Sequence, residues 1–264
     1  MLEILYAAIA MAWAAFGVFA LTVFASVLIH GRGDAALRRS RSSAFFQLLT
    51  FRLVAPFAAA AAAIVFARMG AGFIPLPKES LWVIPGFILY LLAADLIVYV
   101  LHRLQHRIAF LWSMHSLHHA ETRVTMVTAY VNYWGETVIQ SIFIYPLLLV
   151  VFEVPPAYAF IGSWFKLFQN LFVHAEIRLN IGPLGYVLVG PQYHRLHHSS
   201  DPAHFNANYA GTFSLWDLLF GTFVMPGKDQ YPTTGLNPPE PPQRSFATLW
   251  WPLRNALRQR SPQT

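Results

Sequence analysis

Residues 95–119 read DLIVYVLHRLQHRIAFLWSMHSLHH. Asp95, Tyr99, His102 and His106 follow one another at i, i+4, i+7 and i+11, the spacing of a single helix face. Nine residues on, His115, His118 and His119 repeat the theme as HSLHH. Positions i, i+3 and i+4 of a helix project to one side, so each cluster can aim two or three imidazoles toward a common point. The theme returns downstream: His174 stands alone in NLFVHAEI, and His194, His197 and His198 form HRLHH. Of eleven histidines, nine fall into this pattern, and His30 and His204 lie outside it.

Neutral imidazole is the commonest metal ligand among side chains and suits Zn, Cu, Fe and Ni. A catalytic zinc takes about three protein ligands plus water, so eight or nine imidazoles are too many for one ion. Two ions, each with four or five imidazoles and an open position, account for the number. His30 and His204 read as ordinary surface or core histidines. Asp95 sits where an acid is costly without a partner. Ligating histidines commonly donate their second N–H to a carboxylate or carbonyl, so Asp95 is expected behind a ligand, the plain alternative being a hydrogen bond to Tyr99 or another helix.

The composition points to a membrane. Of 264 residues, 56% are hydrophobic and 11% charged, with a mean hydropathy of +0.46. A soluble domain carries about 25% charged residues, so too little polar side chain is present to cover a water-facing surface. The absence of cysteine excludes disulfide frameworks, iron–sulfur clusters and thiolate zinc sites. The net charge of +6 reads as cytoplasmic loops and lipid headgroup contacts rather than nucleic acid. A bilayer needs roughly 20 apolar helical residues per crossing. Candidate spans are 4–30, about 53–74, about 81–101, and the pair 137–153 and 157–173, with Pro155-Pro156 as the turn of a hairpin that crosses or dips and returns. The first span is read as retained, since it is longer than a cleaved signal core and preceded by Glu3.

Arg32, Arg38, Arg39, Arg41 and Arg52 crowd the loop expected after the first span, whereas the next loop offers Arg68 and Lys78. Placing the first loop in the cytoplasm brings 102–136 and 174–264 there as well, and every histidine cluster falls in one of those segments. The expected fold is all-α: a multi-span transmembrane helical bundle with a cytoplasmic histidine-rich helical di-metal cap. The divisions are 1–80 for N-terminal helices and basic loop, 81–227 for the catalytic domain, and 228–264 for a Pro/Arg-rich tail. From Pro238 onward that tail reads as loosely structured or lying on the membrane.

These motifs resemble the fatty acid hydroxylase / sterol desaturase superfamily of membrane di-iron oxygenases. The likeness rests on D-x₃-Y-x₂-HR-x₂-H from Asp95 to His106, on LWSMHSLHH, Glu136 and HAEIRL, and on PQYHRLHHS, Asn208-Tyr209 and WDLLFGTF at 216–223. The resemblance implies two non-haem irons (zinc being able to replace them on isolation) and O₂ as oxidant. It further implies a membrane lipid as substrate and a separate electron donor of ferredoxin or cytochrome type. The ligands it implies are His102, His106, His115, His118, His119, His174, His194, His197 and His198. Asp95, Tyr99 and Asn208 are the candidate catalytic residues, Asn208 either bonding near the metals or fixing a turn. Trp216, Phe220 and Phe223 read as packing, and Asp217 as a partner behind the ligands or at a helix end. One departure stands out: VNYWGE puts Tyr133 where members often carry a histidine, which leaves open a missing ligand or base, with His204 as an extra histidine near Asn208.

Other classes fit less well. A zinc hydrolase wants an HExxH glutamate, and no cluster contains one. A bis-histidine haem protein needs facing single histidines, and a metal transporter places its ligands mid-bilayer. An Ala- and Arg-rich, Cys-free chain leans to a bacterial plasma membrane over endoplasmic reticulum.

Overall fold

In the computed structural model, which describes residues 2–31, 33–66, 72–239 and 245–257, the apolar runs are helices. The first, α1 (Leu2–His30), ends at Gly31, whose φ of +60° lies in the left-handed region that suits glycine. Asp34 then caps α2 (Ala35–Phe66), its Oδ1 accepting the Leu37 amide at 2.8 Å. The basic stretch around Arg38, Arg39 and Arg41, expected as a loop, is therefore helical. Its arginines serve the corner between the two helices: Arg41 donates to the Ser26 and Gly31 carbonyls, cations at a helix C-terminus being favourable. Arg32, Arg68 and part of the expected 53–74 span lie outside the described residues.

Helix α3 (Val83–Arg107) is one rod carrying both an apolar run and the HRLQH motif. Ile108, in extended conformation, breaks it, and α4 (Ala109–His119) starts at once with HSLHH in its last turns. After a 3₁₀ turn over Met126–Tyr130, α5 (Trp134–Val151) and α6 (Pro156–Val173) form the expected hairpin. Pro156 occupies the first helical position of α6, where a missing N–H costs nothing. A two-residue strand in the hairpin, β2 (Phe152–Glu153), pairs parallel with β1 (Ile74–Pro75). The last third holds short elements, α7 (Pro191–His197), α8 (Leu215–Leu219) and α9 (Trp251–Leu257), linked by turns.

Three apolar clusters hold the helices together, two of them against the histidines. Phe19, Leu48, Trp112, Leu117 and Trp251 join α1, α2, α4 and α9. Tyr90, Leu91, Leu148 and Tyr158 join α3, α5 and α6. Tyr99, Val173, Tyr193 and Tyr209 close the side of α7. Helices α3 and α6 meet through glycine: a Cβ at Gly162 would stand 2.7 Å from the Tyr90 ring, the close approach that small residues permit.

Among the described residues two helices, α3 and α5, are long and apolar enough to cross a bilayer. Only 33% of the apolar window in α3 and 18% of that in α5 is buried, unlike the core helix of a soluble domain. Ile84, Leu89 and Val100 on α3, Phe143 and Leu149 on α5, and Phe160 and Phe168 on α6 all face outward.

The described part of the tail departs from expectation. Trp251 is buried and its indole N–H donates to Ser116 Oγ at 2.9 Å, while Thr248 meets Ser43 and Gln47. A large apolar ring with a satisfied N–H docks the chain on α4 and α2, where the Pro- and Arg-rich composition had suggested loose structure. Residues 240–244 and 258–264 of that tail lie outside the described ones.

Candidate metal centre

The nine patterned histidines converge, and in two groups. His102, His106, His115, His119 and His197 bring one ring nitrogen each to within 4.8 Å of one another, and His118, His174, His194 and His198 do the same. Helical geometry makes the division. On α3, the i and i+4 pair His102 and His106 serves the five-histidine group. On α4, His115 and His119 join them, and His118 points to the other group. The second triplet reverses this: His194 and His198 join the four-histidine group and His197 crosses to the five. Each HxxHH thus contributes to both groups, whereas the sequence alone suggested one common point per cluster. His174, capping the C-terminus of α6, completes the four.

The backbone sets which nitrogen faces inward. Nδ1 of His102 lies 2.7 Å from the Tyr209 carbonyl, that of His118 3.2 Å from Val131 O, that of His174 2.7 Å from Asn170 O, and that of His197 2.9 Å from Ala207 O. Carbonyls only accept, so these rings carry their proton on Nδ1 and present a lone pair at Nε2. His115 does the same toward a carboxylate, its Nδ1 standing 3.1 Å from Glu136 Oε1.

The inward atoms then face each other with no proton between them. His102 and His115 approach Nε2 to Nε2 at 3.0 Å, and His118 and His174 at 3.1 Å. Two imidazole lone pairs at that distance repel unless a cation lies within reach of both. A metal–nitrogen distance of about 2.1 Å puts right-angle neighbours about 3.0 Å apart, which matches these contacts. Nε2 of His106, His119 and His197 is buried with no hydrogen-bond partner. Burial also keeps the rings neutral. It depresses the proton affinity of His118, His119, His194 and His198 far below the usual imidazole range, brings His174 to about 4 and His197 to about 3. Clustered imidazoles, most of them buried and several with an Nε2 lone pair aimed inward, fit two metal ions, and these nine residues would hold them.

The other expected residues lie behind this shell. Asp95 accepts the Phe213 and Thr212 amides at 2.9 and 3.3 Å, and among the described residues no hydrogen bond joins it to a histidine. Tyr99 bonds Thr222 Oγ1 at 2.8 Å and accepts from Arg103. Asn208, at φ +61°, pins its turn to Val224 through both side-chain atoms. It stands between Ala207 and Tyr209, whose carbonyls orient His197 and His102. Asp217, fully buried, accepts from the Tyr209 and Ala210 amides and the Tyr193 and Thr222 hydroxyls. His30 pairs with Arg123, and His204 bonds Ser199 and Gln230. Neither joins the two groups, and Tyr133 packs beside Trp134 and the apolar core of α4. Sequence reasoning gave Glu136 no bond to make. Its signal was position, an acid opening an apolar helix.

A family model described as fatty acid hydroxylase matches residues 87–222, just over half of the chain. The chain belongs to the fatty acid hydroxylase family. All nine converging histidines lie inside the matched stretch. This fatty acid hydroxylase family member is 33% identical over 151 residues to alkylglycerol monooxygenase of Xenopus tropicalis, covering 57% of the chain and 32% of that relative. It is 31% identical over 150 residues to an ornithine lipid hydroxylase of Rhizobium tropici, covering 56% and 45%. With methylsterol monooxygenase 1 of Rattus norvegicus it shares 30% over 129 residues, covering 48% and 42%. The chain therefore matches less than half the length of these curated relatives. No solved structure matches it.

Proposed function

We propose that this chain is a membrane-bound non-haem di-iron oxygenase that hydroxylates a lipid, with desaturation as a close variant of the same hydrogen abstraction. The observation that carries this reading is the pair of largely buried histidine groups whose ring nitrogens face one another, Nε2 to Nε2 at 3.0 Å for His102 and His115 and at 3.1 Å for His118 and His174. The names of the relatives, two monooxygenases and a lipid hydroxylase, support it. Irons, when bound, would supply the oxidising power, drawn from O₂ and electrons of a separate carrier, that no side chain offers toward an unactivated C–H bond.

The protein's own part is positional. Carbonyls of Val131, Asn170, Ala207 and Tyr209 fix ring orientation, as does Glu136. The surrounding apolar clusters exclude water, so that an oxidant meets substrate rather than solvent. Apolar outer faces on α3 and α5 suit a bilayer, and the arginines at the α1–α2 corner suit the cytoplasmic side. In this reading the centre lies at the inner leaflet of a bacterial plasma membrane, where a lipid chain arrives from the bilayer and electrons from the cytoplasm.

Lipid analysis of membranes from cells with and without the gene tests this directly. A gain of one oxygen, or a loss of two hydrogens, on one lipid class is expected, together with two irons per purified chain. An unchanged lipid profile with a single exchangeable ion would overturn the reading.

A further inference from the structure

The last third of the chain carries an apolar surface that lies outside the long helices. Leu184, Val187 and Leu188, in and after a 3₁₀ turn (Gly182–Tyr186), are exposed, and so are Leu215, Leu218 and Leu219 on α8. The Ser214 hydroxyl donates to Gly185 O at 2.7 Å and the Val189 amide to Thr212 O at 2.9 Å, so the two segments form one lobe. Residues 179–194 contain no Asp, Glu, Lys or Arg, and 202–227 contain only Asp217, which is fully buried. At about 25% charged residues, water-facing stretches of this length would hold several.

Contacts with α3 set the depth of this lobe. Asp95 lies midway between Val83 and Arg107, about 18 Å from either end at the usual helical rise. Its carboxylate accepts the Thr212 and Phe213 amides. One turn further on, the Tyr99 ring stacks on Phe220, centroids 5.3 Å apart. Gly211 runs so close that an added Cβ would stand 3.3 Å from Asp95 Oδ1. If α3 crosses a hydrocarbon core about 30 Å thick, residues 211–220 lie within that core. Irregular backbone is tolerated at such depth only where its polar groups find partners inside the protein. Two buried carboxylates supply them: Asp95 serves Thr212 and Phe213, and Asp217 serves Tyr209 and Ala210. The polar edge fits the same placement. Asn180 ties the ends of the lobe through the Pro226 and Gly227 carbonyls, and just beyond it Arg178 and Arg195 stack on Tyr231, residue types suited to a membrane boundary.

We propose that residues 179–190 and 207–227 form a re-entrant lobe immersed in the acyl region of the bilayer, with hydrocarbon chains as the partner of its outer face. This rests on the membrane-bound reading of α3 and revises the placing of 174–264 wholly in the cytoplasm. The carbonyls of Ala207 and Tyr209, which orient His197 and His102, belong to the lobe. The bilayer thus reaches the support of the five-histidine group.

The chain has no cysteine, so single cysteines can carry a bimane label in the whole metal-loaded protein in phosphatidylcholine vesicles. Val187→Cys and Leu219→Cys are compared with Leu89→Cys on the outward face of α3 and with Asp229→Cys beyond the polar edge. When phosphatidylcholine brominated in mid acyl chain replaces the ordinary lipid, the two lobe labels should lose as much fluorescence as the Leu89 label. They should also resist aqueous iodide, which quenches the Asp229 label. Iodide quenching of both lobe labels to the extent seen at Asp229 overturns the proposal. So does protection from both quenchers while Leu89 responds to brominated lipid, which would mean that a second copy of the chain covers this face. A Leu89 label quenched by iodide and untouched by brominated lipid would sink the membrane reading of α3, and the lobe's placement with it.

Discussion

Asp217 Oδ1 accepts the amide of Tyr209 at 2.8 Å, and the carbonyl of that same Tyr209 stands 2.7 Å from Nδ1 of His102. A carboxylate buried in the WDLLFGTF segment thus holds the turn that holds a ring of the five-histidine group. Three further donors, Ala210 N–H, Tyr193 O–H and Thr222 O–H, converge on it. Asparagine there would turn an amide N–H₂ toward some of these donors, leaving them buried and unsatisfied. Asp217→Asn should cost about 2–3 kcal/mol and loosen the five-histidine group before the four. Elemental analysis should show metal falling from two ions toward one per chain. Full retention of both ions would mean that this turn does not orient His102.

Much of this was legible in the sequence, and the limits were physical. The HxxxH and HxxHH spacings foretold converging rings, because helical pitch alone puts i, i+3 and i+4 on one side. The same spacing says nothing of a second helix, so the crossing of His118 and His197 into opposite groups waited for the packing of α4 against α7. Asp95 illustrates the gap between face and partner. Its helix face was readable, but its carboxylate meets the amides of Thr212 and Phe213, more than a hundred residues away. Trp251 on Ser116 is of the same kind, a contact across the chain that composition hid beneath prolines and arginines.

Histidines inside and outside the two groups should respond oppositely to truncation. His118→Ala removes one of four rings from its group and should abolish turnover and release at least that ion. His30→Ala loses a part-buried contact with Arg123 and Glu176, and His204→Ala its bonds to Ser199 and Gln230. Both should keep two ions and full activity. Iron content and lipid oxidation, compared across the three variants, check this. A metal-replete, active His118→Ala would invalidate the ligand set.

The α3–α6 contact leaves no room for side chain. At Gly162 a Cβ would stand 2.7 Å from Tyr90 Cε1, and Tyr90 is itself locked between Phe87 and Tyr158. Gly162→Leu should cost about 1–3 kcal/mol through overpacking and lower the unfolding temperature in detergent. Gly17 is the contrast, a helical glycine with nothing within 4 Å of the added atom. Gly17→Ala should be neutral or stabilise by up to about 1 kcal/mol. Equal effects at the two positions would show that α3 and α6 do not approach this closely.

Acid should unfold this protein through its histidines, and the direction follows from their burial. An unfolded imidazole takes a proton near pH 6.5. Desolvation holds His174 to about 4 and His197 to about 3, with His118, His119, His194 and His198 also lowered. Between those limits the unfolded chain binds protons that the folded chain refuses, so stability rises with pH across the window and is lost as pH falls through it. Each such ring contributes about 1.4 kcal/mol per pH unit. Bound ions steepen the dependence, because a protonated imidazole cannot ligate. The unfolding temperature should therefore be level above about pH 7 and drop steeply from there toward pH 4, with both ions released on unfolding. A parallel scan of unfolding temperature and retained metal measures this. A profile that stayed flat, or rose on acidification, would mean that the rings are hydrated and charged, and the dry centre would have to be abandoned.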